Sequence, residues 1–268
     1  YELCKNAKSH CTVMLSGDGG DELFFGYERF ESLIKNRRWL WIPKPFRYIL
    51  YFFDKVFFRN KHVNEHFLQP SLSKAHQYLN SVVNEQDLKA IFPNYEHAIN
   101  KQLHIYDYDD SQEELDLLHS MRKAEFYGMM QKTLTKVDRM SMANSVEVRV
   151  PFLKKSFVEA SLKIHPDLSF GAGKKKGILK EMLKAIFPSA QINDLKRGFS
   201  IPLDDWLRND LKLEVKEAIF NKNFIDAFSI SKHALISIWD KYQSGVNGNK
   251  RLLFSLYSLA IWYREQNA

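Results

Sequence analysis

The sequence predicts an α/β protein in which helix far outweighs strand, and three observations lead there. A short run of strand formers, Cys11-Thr12-Val13-Met14-Leu15, runs straight into a glycine-rich turn, Ser16-Gly17-Asp18-Gly19-Gly20. The turn opens onto Asp21-Glu22-Leu23-Phe24-Phe25-Gly26-Tyr27, which reads as the start of a helix with acids in its first turn. From residue 113 onward, apolar positions recur at helical spacing. Strand, glycine turn and helix in that order make the βα unit of an open parallel sheet. One strand cannot make a sheet and no comparable unit follows, so the other strands are expected upstream of Tyr1 or from another chain.

Composition narrows the class. The chain has 268 residues, 45% hydrophobic and 26% charged, which is ordinary for one large soluble domain or two small ones. That excludes a disordered chain, collagen-like repeats and a disulfide scaffold. No uncharged apolar run approaches the ~18 residues that span a bilayer, so no transmembrane segment is expected. Two cysteines, Cys4 and Cys11, stand outside any metal-ligand spacing, which fits a reducing, cytoplasmic setting. A net charge of +7 suits an anionic substrate such as a nucleotide, and is too diffuse to argue for nucleic acid. The chain opens on Tyr1 without a signal-peptide pattern and reads as a fragment.

Along the chain, residues 37–61 form a distinct stretch with nine aromatics, interleaved basic residues and Asp54 as its one acid. A membrane-surface or partner-docking helix is one reading. An amphipathic helical insertion whose aromatics pack on the domain is the preferred one. Residues 113–145 carry few breakers, with Leu115, Leu118, Met121, Phe126 and Met130 at helical spacing. In Ser145-Val146-Glu147-Val148-Arg149-Val150, an extended backbone puts both charges on one side and three valines on the other. Further helices are expected over 156–163, 174–186, 203–219, 231–242 and 250–265, with Trp206 and Trp262 packing in the last part.

The chemistry concentrates in Leu15-Ser16-Gly17-Asp18-Gly19-Gly20-Asp21-Glu22. Three glycines let backbone N–H groups approach an anion, and the following helix start favours negative charge. Asp18, Asp21 and Glu22 would repel a bare phosphate, a conflict that Mg²⁺ between carboxylates and phosphate oxygens resolves. The plainer alternative is a tight turn whose acids cap a helix.

This segment resembles the Ser-Gly-Glu-Gly-x-Asp-Glu-x-Phe-Gly-Gly-Tyr loop of the asparagine synthetase family. The stretch Lys136 to Leu153, through Asp138-Arg139-Met140-Ser141 and Glu147-Val148-Arg149-Val150-Pro151-Phe152-Leu153, is similar to that family's second signature. Lys196-Arg197-Gly198-Phe199-Ser200-Ile201-Pro202 with Trp206-Leu207 is similar to a third, Lys-x-Gly-Phe-x-x-Pro…Trp-Leu. The three occur in the family's order.

The resemblance implies the mostly helical C-terminal portion of an adenine-nucleotide-hydrolase-like parallel-sheet domain, so that residues 1–268 are a partial asparagine synthase domain with 37–61 inserted in it. The family's Ser-Gly-Gly-x-Asp-Ser phosphate loop and its glutaminase domain, with an N-terminal cysteine nucleophile, are missing. The family is a glutamine-hydrolysing carbon–nitrogen ligase, a glutamine amidotransferase of amino-acid biosynthesis. It adenylates the aspartate side chain with ATP and Mg²⁺, and glutamine-derived ammonia displaces AMP to give asparagine. This chain alone is therefore expected to be inactive. A homodimer is one assembly open to it.

By resemblance, Ser16 and Gly17 contact ATP and the acyl-adenylate, and Gly19 and Arg139 join them as binding candidates. Asp18 aligns with a family glutamate that assists intermediate formation and ammonia attack. Asp21 matches the carboxylate holding Mg²⁺ on the pyrophosphate. Lys176 aligns with the lysine before Ile-Leu-Lys/Arg, where a cation stabilises the reacting phosphorus or carbon; Lys174 reads better as a solvated helix face. Arg139 either touches substrate or pairs with Asp138 or Glu147, and Glu147–Arg149 reads as a structural pair. Phe25 stands where the family has Gly, Lys154 where it has Asp, and Gln131-Lys132 where many members are acidic. These departures point to a divergent member. Alternatives are a related adenylating amide-forming enzyme of a polysaccharide, β-lactam or peptide pathway, or a non-catalytic partner-binding remnant.

Overall fold

A computed structural model describes residues 1–58, 64–83, 85–94, 104–170, 175–189, 201–245 and 250–267. The chain divides into two compact units, Tyr1–Asn80 with Ile99–Asn193, and Ser81–Ala98 with Asp194–Ala268.

The first unit holds the sheet. Strand β1, Val13–Leu15, pairs in parallel with β2, Glu147–Arg149, in the register Val13↔Glu147, Met14↔Val148 and Leu15↔Arg149. β2 alternates as the valine spacing predicts, with Glu147 and Arg149 exposed, Val146 buried and Val148 and Val150 half-buried. The intervening helix Glu114–Met142 runs 29 residues, close to the expected 113–145. It buries Leu118, Met121 and Met130, together with Leu117 and the charged Arg122 and Glu125. This core also takes in Phe25, Phe30, Leu33, Phe67, Leu72 and Phe170. Arg122 is fully buried, and its two Nη groups donate to the carbonyls of Leu162 at 2.8 Å, Ile164 at 3.1 Å and Ser161 at 3.2 Å. A buried guanidinium needs such acceptors, and burial alone brings its pKa down to about 10.

The stretch from Arg37 corrects the packing expectation for the insertion. It is helical as expected, with a 3₁₀ turn Arg37–Trp41, an α-helix Lys44–Phe53 and a π-helical turn Asp54–Phe58. Trp39 and Leu40 pack on the core, yet most of the aromatics beyond them face solvent.

The second unit is helical among its described residues. Its core gathers Ile91, Leu207, Phe224, Leu235, Trp239 and Leu253. Asn221 caps the helix Lys222–Ala227 by accepting from Phe224 N at 3.2 Å, and Ser231 caps Lys232–Gln243 by accepting from Ala234 N at 3.4 Å, as short polar side chains do at helix starts. Helices Lys232–Gln243 and Lys250–Gln266 lie where periodicity puts them. The stretch 203–219 breaks into Leu203–Arg208 and Lys212–Ile219, because Asn209 leaves the helical region at φ −121°, ψ −87°. Trp206 is half-buried, but Trp262 is exposed, and Trp239 is the buried tryptophan of this core. No helix among the described residues is long and apolar enough to cross a membrane.

Candidate active site

The glycine-rich loop leaves the carboxyl end of β1, the side of a parallel sheet where ligands bind in open α/β folds. Ser16 N donates to Arg149 O at 2.9 Å, so the ladder with β2 extends into the first loop residue. Ser16 Oγ then donates to Asp18 Oδ2 at 2.6 Å, and Asp18 N donates back to Ser16 Oγ at 3.3 Å. These bonds fold Ser16 and Asp18 into one local turn. Gly17 lies open, with nothing within 4 Å of where a Cβ would stand. Gly19 adopts φ +91°, and a Cβ there would meet Leu153 Cδ2 at 2.7 Å. Both the left-handed backbone and the contact call for glycine.

The expected helix from Asp21 to Tyr27 is interrupted. It spans Gly20–Leu23, breaks at Phe25 with φ +57°, and resumes over Glu28–Asn36. The break turns the chain back so that Gly26 N donates to Asp21 O at 2.9 Å. It also exposes Phe24 O to Lys176 N, which donates at 3.0 Å. Lys176 itself sits at φ +55°, immediately ahead of the helix Gly177–Ile186. From there its ammonium comes 2.9 Å from Asp21 Oδ1. Gly26 makes room for this pair, since a Cβ there would lie 1.8 Å from Asp21 Oδ1 and 2.5 Å from Lys176 Cε. Lys175 points elsewhere, 3.5 Å from Glu28 Oε1 and 3.8 Å from Glu31 Oε2. Lys174 lies outside the described residues.

Behind the loop runs a charged network with no local sequence signature. Tyr27 OH donates to buried Glu22, whose pKa is raised by burial against the opposing effect of that hydrogen bond. The Arg29 guanidinium stacks 3.8 Å over the Tyr27 ring and forms a two-pronged bond with Glu125, one prong at 2.6 Å. Glu125 also meets His76 Nε2 at 2.7 Å, and His76 Nδ1 lies 3.1 Å from Tyr108 OH. Burial pushes the Glu125 carboxyl up, but hydrogen bonds from His76 and Arg29 and their charges outweigh it and leave the pKa at about 2. The network ties the loop to the long helix Glu114–Met142.

A family model for asparagine synthase matches residues 1–264. The chain belongs to the asparagine synthase family. It is 27% identical over 269 residues to asparagine synthetase [glutamine-hydrolyzing] 1 of Bacillus subtilis, covering 98% of this chain and 42% of that protein. A putative asparagine synthetase [glutamine-hydrolyzing] of Mycobacterium tuberculosis is 23% identical over 274 residues, covering 98% of this chain and 41% of that protein. The chain thus spans about two fifths of the length of these curated relatives. No solved structure matches it.

Of the asparagine synthase signatures, the first two lie together and the third is only partly visible. Residues 190–200, with Lys196 to Phe199, are outside the described residues, while Ile201, Pro202, Trp206 and Leu207 belong to the second unit. Ser16, Gly17, Asp18, Gly19 and Asp21 are gathered in one loop, and Lys176 joins them from a distant part of the sequence. Arg139 stays apart on the exposed last turn of its helix, and its guanidinium makes no hydrogen bond or ion pair among the described residues. Of its two alternatives, pairing with Asp138 or Glu147 is not formed among the described residues. Glu147 instead holds Arg149, Nε to Oε1 at 2.8 Å, and this pair is solvent-exposed rather than buried. Gly26 and the Phe24 carbonyl are site-builders that the sequence pattern does not announce; the glycine that the family pattern has where Phe25 stands is the signal that the backbone turns there.

Proposed function

We propose that this chain carries the adenylating centre of an ATP-dependent, amide-forming synthetase, converting aspartate to asparagine with ammonia derived from glutamine. The observation that carries the reading is the Asp21–Lys176 pair, 2.9 Å apart at the edge of a glycine-rich loop on the carboxyl end of β1. The chemistry has two steps. The aspartate side-chain carboxylate attacks the α-phosphorus of ATP and pyrophosphate leaves; ammonia then attacks the acyl carbon and AMP leaves. Negative charge grows first on phosphorus and its leaving group, then on the acyl oxygen, and fixed cationic donors stabilise it.

Lys176 has three N–H donors, and Asp21 occupies one of them while orienting the rest. Open Gly17 and the loop N–H groups line the approach for the nucleotide. Asp18, held by Ser16, accepts a proton from the attacking ammonia in this reading. Asp21, a quarter exposed at the loop edge, would hold Mg²⁺ by sharing its carboxylate with the Lys176 ammonium 2.9 Å away, since this ion needs only one or two protein carboxylates when phosphates and waters complete its shell. When bound, the ion would supply charge neutralisation on pyrophosphate. Arg139, solvent-facing and free of a protein partner among the described residues, remains available for an anionic substrate.

The reading is tested by pyrophosphate release from the full-length protein with Mg-ATP and ammonium, with and without aspartate. Release that depends on aspartate and is accompanied by asparagine supports it. ATP binding without aspartate-dependent release overturns it in favour of a related adenylating ligase with another carboxylate acceptor, the reading that Phe25 and Lys154 favour as departures from the family pattern.

A further inference from the structure

The helical segment Lys44–Phe58 is built inside out. Its buried residues are charged: Arg47 and Asp54 are each 4% exposed, and seven positions apart they share a helix face. Arg47 Nη1 donates to Phe67 O and, at 2.7 Å, to Gln69 O, which clamps the helix to the unit by its polar side. The opposite side is apolar and open. Trp41 is 77% exposed, Phe57 67% and Phe52 65%, with Phe46, Phe53 and Phe58 also exposed. A shallow groove there is lined by Tyr48, Ile49, Tyr51, Phe52, Lys55 and Val56. Soluble proteins seldom leave so continuous an apolar face without a partner.

Charge selects the partner. Residues 37–61 contain seven Lys and Arg and a single acid, Asp54, and that acid is on the buried side. Over the described residues 41–58, the charges shown to solvent are therefore Lys44 and Lys55, set among exposed aromatics. Lys44 Nζ lies 5.9 Å from the Tyr48 ring and Lys55 Nζ 6.0 Å from the Tyr51 ring, so each ammonium rises along the rim of the aromatic surface. A second copy of this chain would set like charge against like charge. We infer that the exposed face of residues 41–58 docks on an anionic lipid surface, its aromatics entering the acyl–headgroup boundary and Lys44 and Lys55 meeting phosphate. Aromatic residues flanked by cations are the composition that rests at that boundary, and basic residues draw such a segment to acidic lipids.

The test is co-sedimentation of the full-length protein with vesicles of phosphatidylserine and phosphatidylcholine, against vesicles of phosphatidylcholine alone. Binding is expected only with phosphatidylserine present, and it weakens as salt rises. Two double variants, Phe52→Ser with Phe57→Ser and Lys44→Glu with Lys55→Glu, should each lower the vesicle affinity roughly tenfold or more, with circular dichroism unchanged because all four side chains are exposed. Several results overturn the inference: no binding to either vesicle, equal binding to both, or full binding by either folded variant. So does self-association or a protein complex that the Phe52/Phe57 variant abolishes while vesicle binding persists.

Discussion

Lys176 reaches Asp21 across the glycine-rich loop, its ammonium 2.9 Å from Oδ1 and its backbone N–H pinned 3.0 Å from Phe24 O. Lys176, 155 positions from Asp21 in the sequence, is thus anchored to this segment twice, through its side chain to Asp21 and through its main chain to Phe24. The pair is partly exposed, so its contribution to stability is small, on the order of 0–1 kcal/mol. Its value is in placing charge.

Asp21→Asn and Lys176→Met should therefore separate activity from folding. Each is expected to lower pyrophosphate release by roughly 10²–10³-fold, the cost of losing one positioned electrostatic group, while the melting temperature changes little. Turnover near wild type in either variant would remove that residue from the reacting centre.

Gly26→Ala tests the same pair by steric means. Its Cβ would fall within 1.8 Å of Asp21 Oδ1, so the carboxylate must move and activity should fall with it. Gly17→Ala meets nothing within 4 Å and should fold with unchanged thermal stability. Equal activity in Gly26→Ala and wild type would show that the pair's geometry is dispensable.

Phe25 sets backbone strain against packing. At φ +57° the residue costs about 1–2 kcal/mol relative to glycine. Its ring is fully buried, 5.0 Å from Phe30 and 5.5 Å from Phe170 by ring centroids; deleting such a ring costs about 3–5 kcal/mol. Packing wins, so Phe25→Gly is expected to destabilise the protein by a net ~1–4 kcal/mol in urea unfolding. A stabilised variant would mean that the strain dominates.

Acid should weaken the first unit in two windows. Burial lowers the His66 pKa to about 4, so the unfolded chain takes up that proton first. Stability is lost as pH falls from about 6.5 to about 4. Glu125, held at about 2 against 4.5, loses its contribution lower, as pH falls from about 4.5 to about 2. Urea midpoints across this range should show both phases, His66→Phe removing the upper and Glu125→Gln the lower. At neutral pH, Glu125→Gln leaves Arg29 without its carboxylate and should cost about 3–5 kcal/mol.

The local patterns of this chain were legible and its long-range ones were not. Strand, glycine turn and the valine alternation of β2 are written in neighbouring residues, so they could be read directly. In the lysine run at 174–176, the family resemblance points to Lys176 but spacing alone does not separate it from Lys175; Glu28 and Glu31, which draw off Lys175, come from far upstream. The Glu125 network joins residues 29, 76 and 125, and no spacing announces it. Aromatic stripes usually mark a core, so the sequence predicts that the aromatics of 37–61 turn inward; buried Arg47 and Asp54 reverse that expectation over Lys44–Phe58. Trp262 is exposed for a related reason: periodicity fixes which residues share a face, not which face is covered.

The central claim is that this loop and Lys176 serve adenylation, and oxygen transfer tests it most directly. Full-length protein is supplied with Mg-ATP, ammonium and aspartate labelled with heavy oxygen in the side-chain carboxylate, and the nucleotide product is weighed by mass spectrometry. An acyl-adenylate predicts one labelled oxygen in AMP, because the carboxylate oxygen bonded to phosphorus departs with it. Unlabelled AMP, or label in inorganic phosphate with ADP as product, would contradict the account.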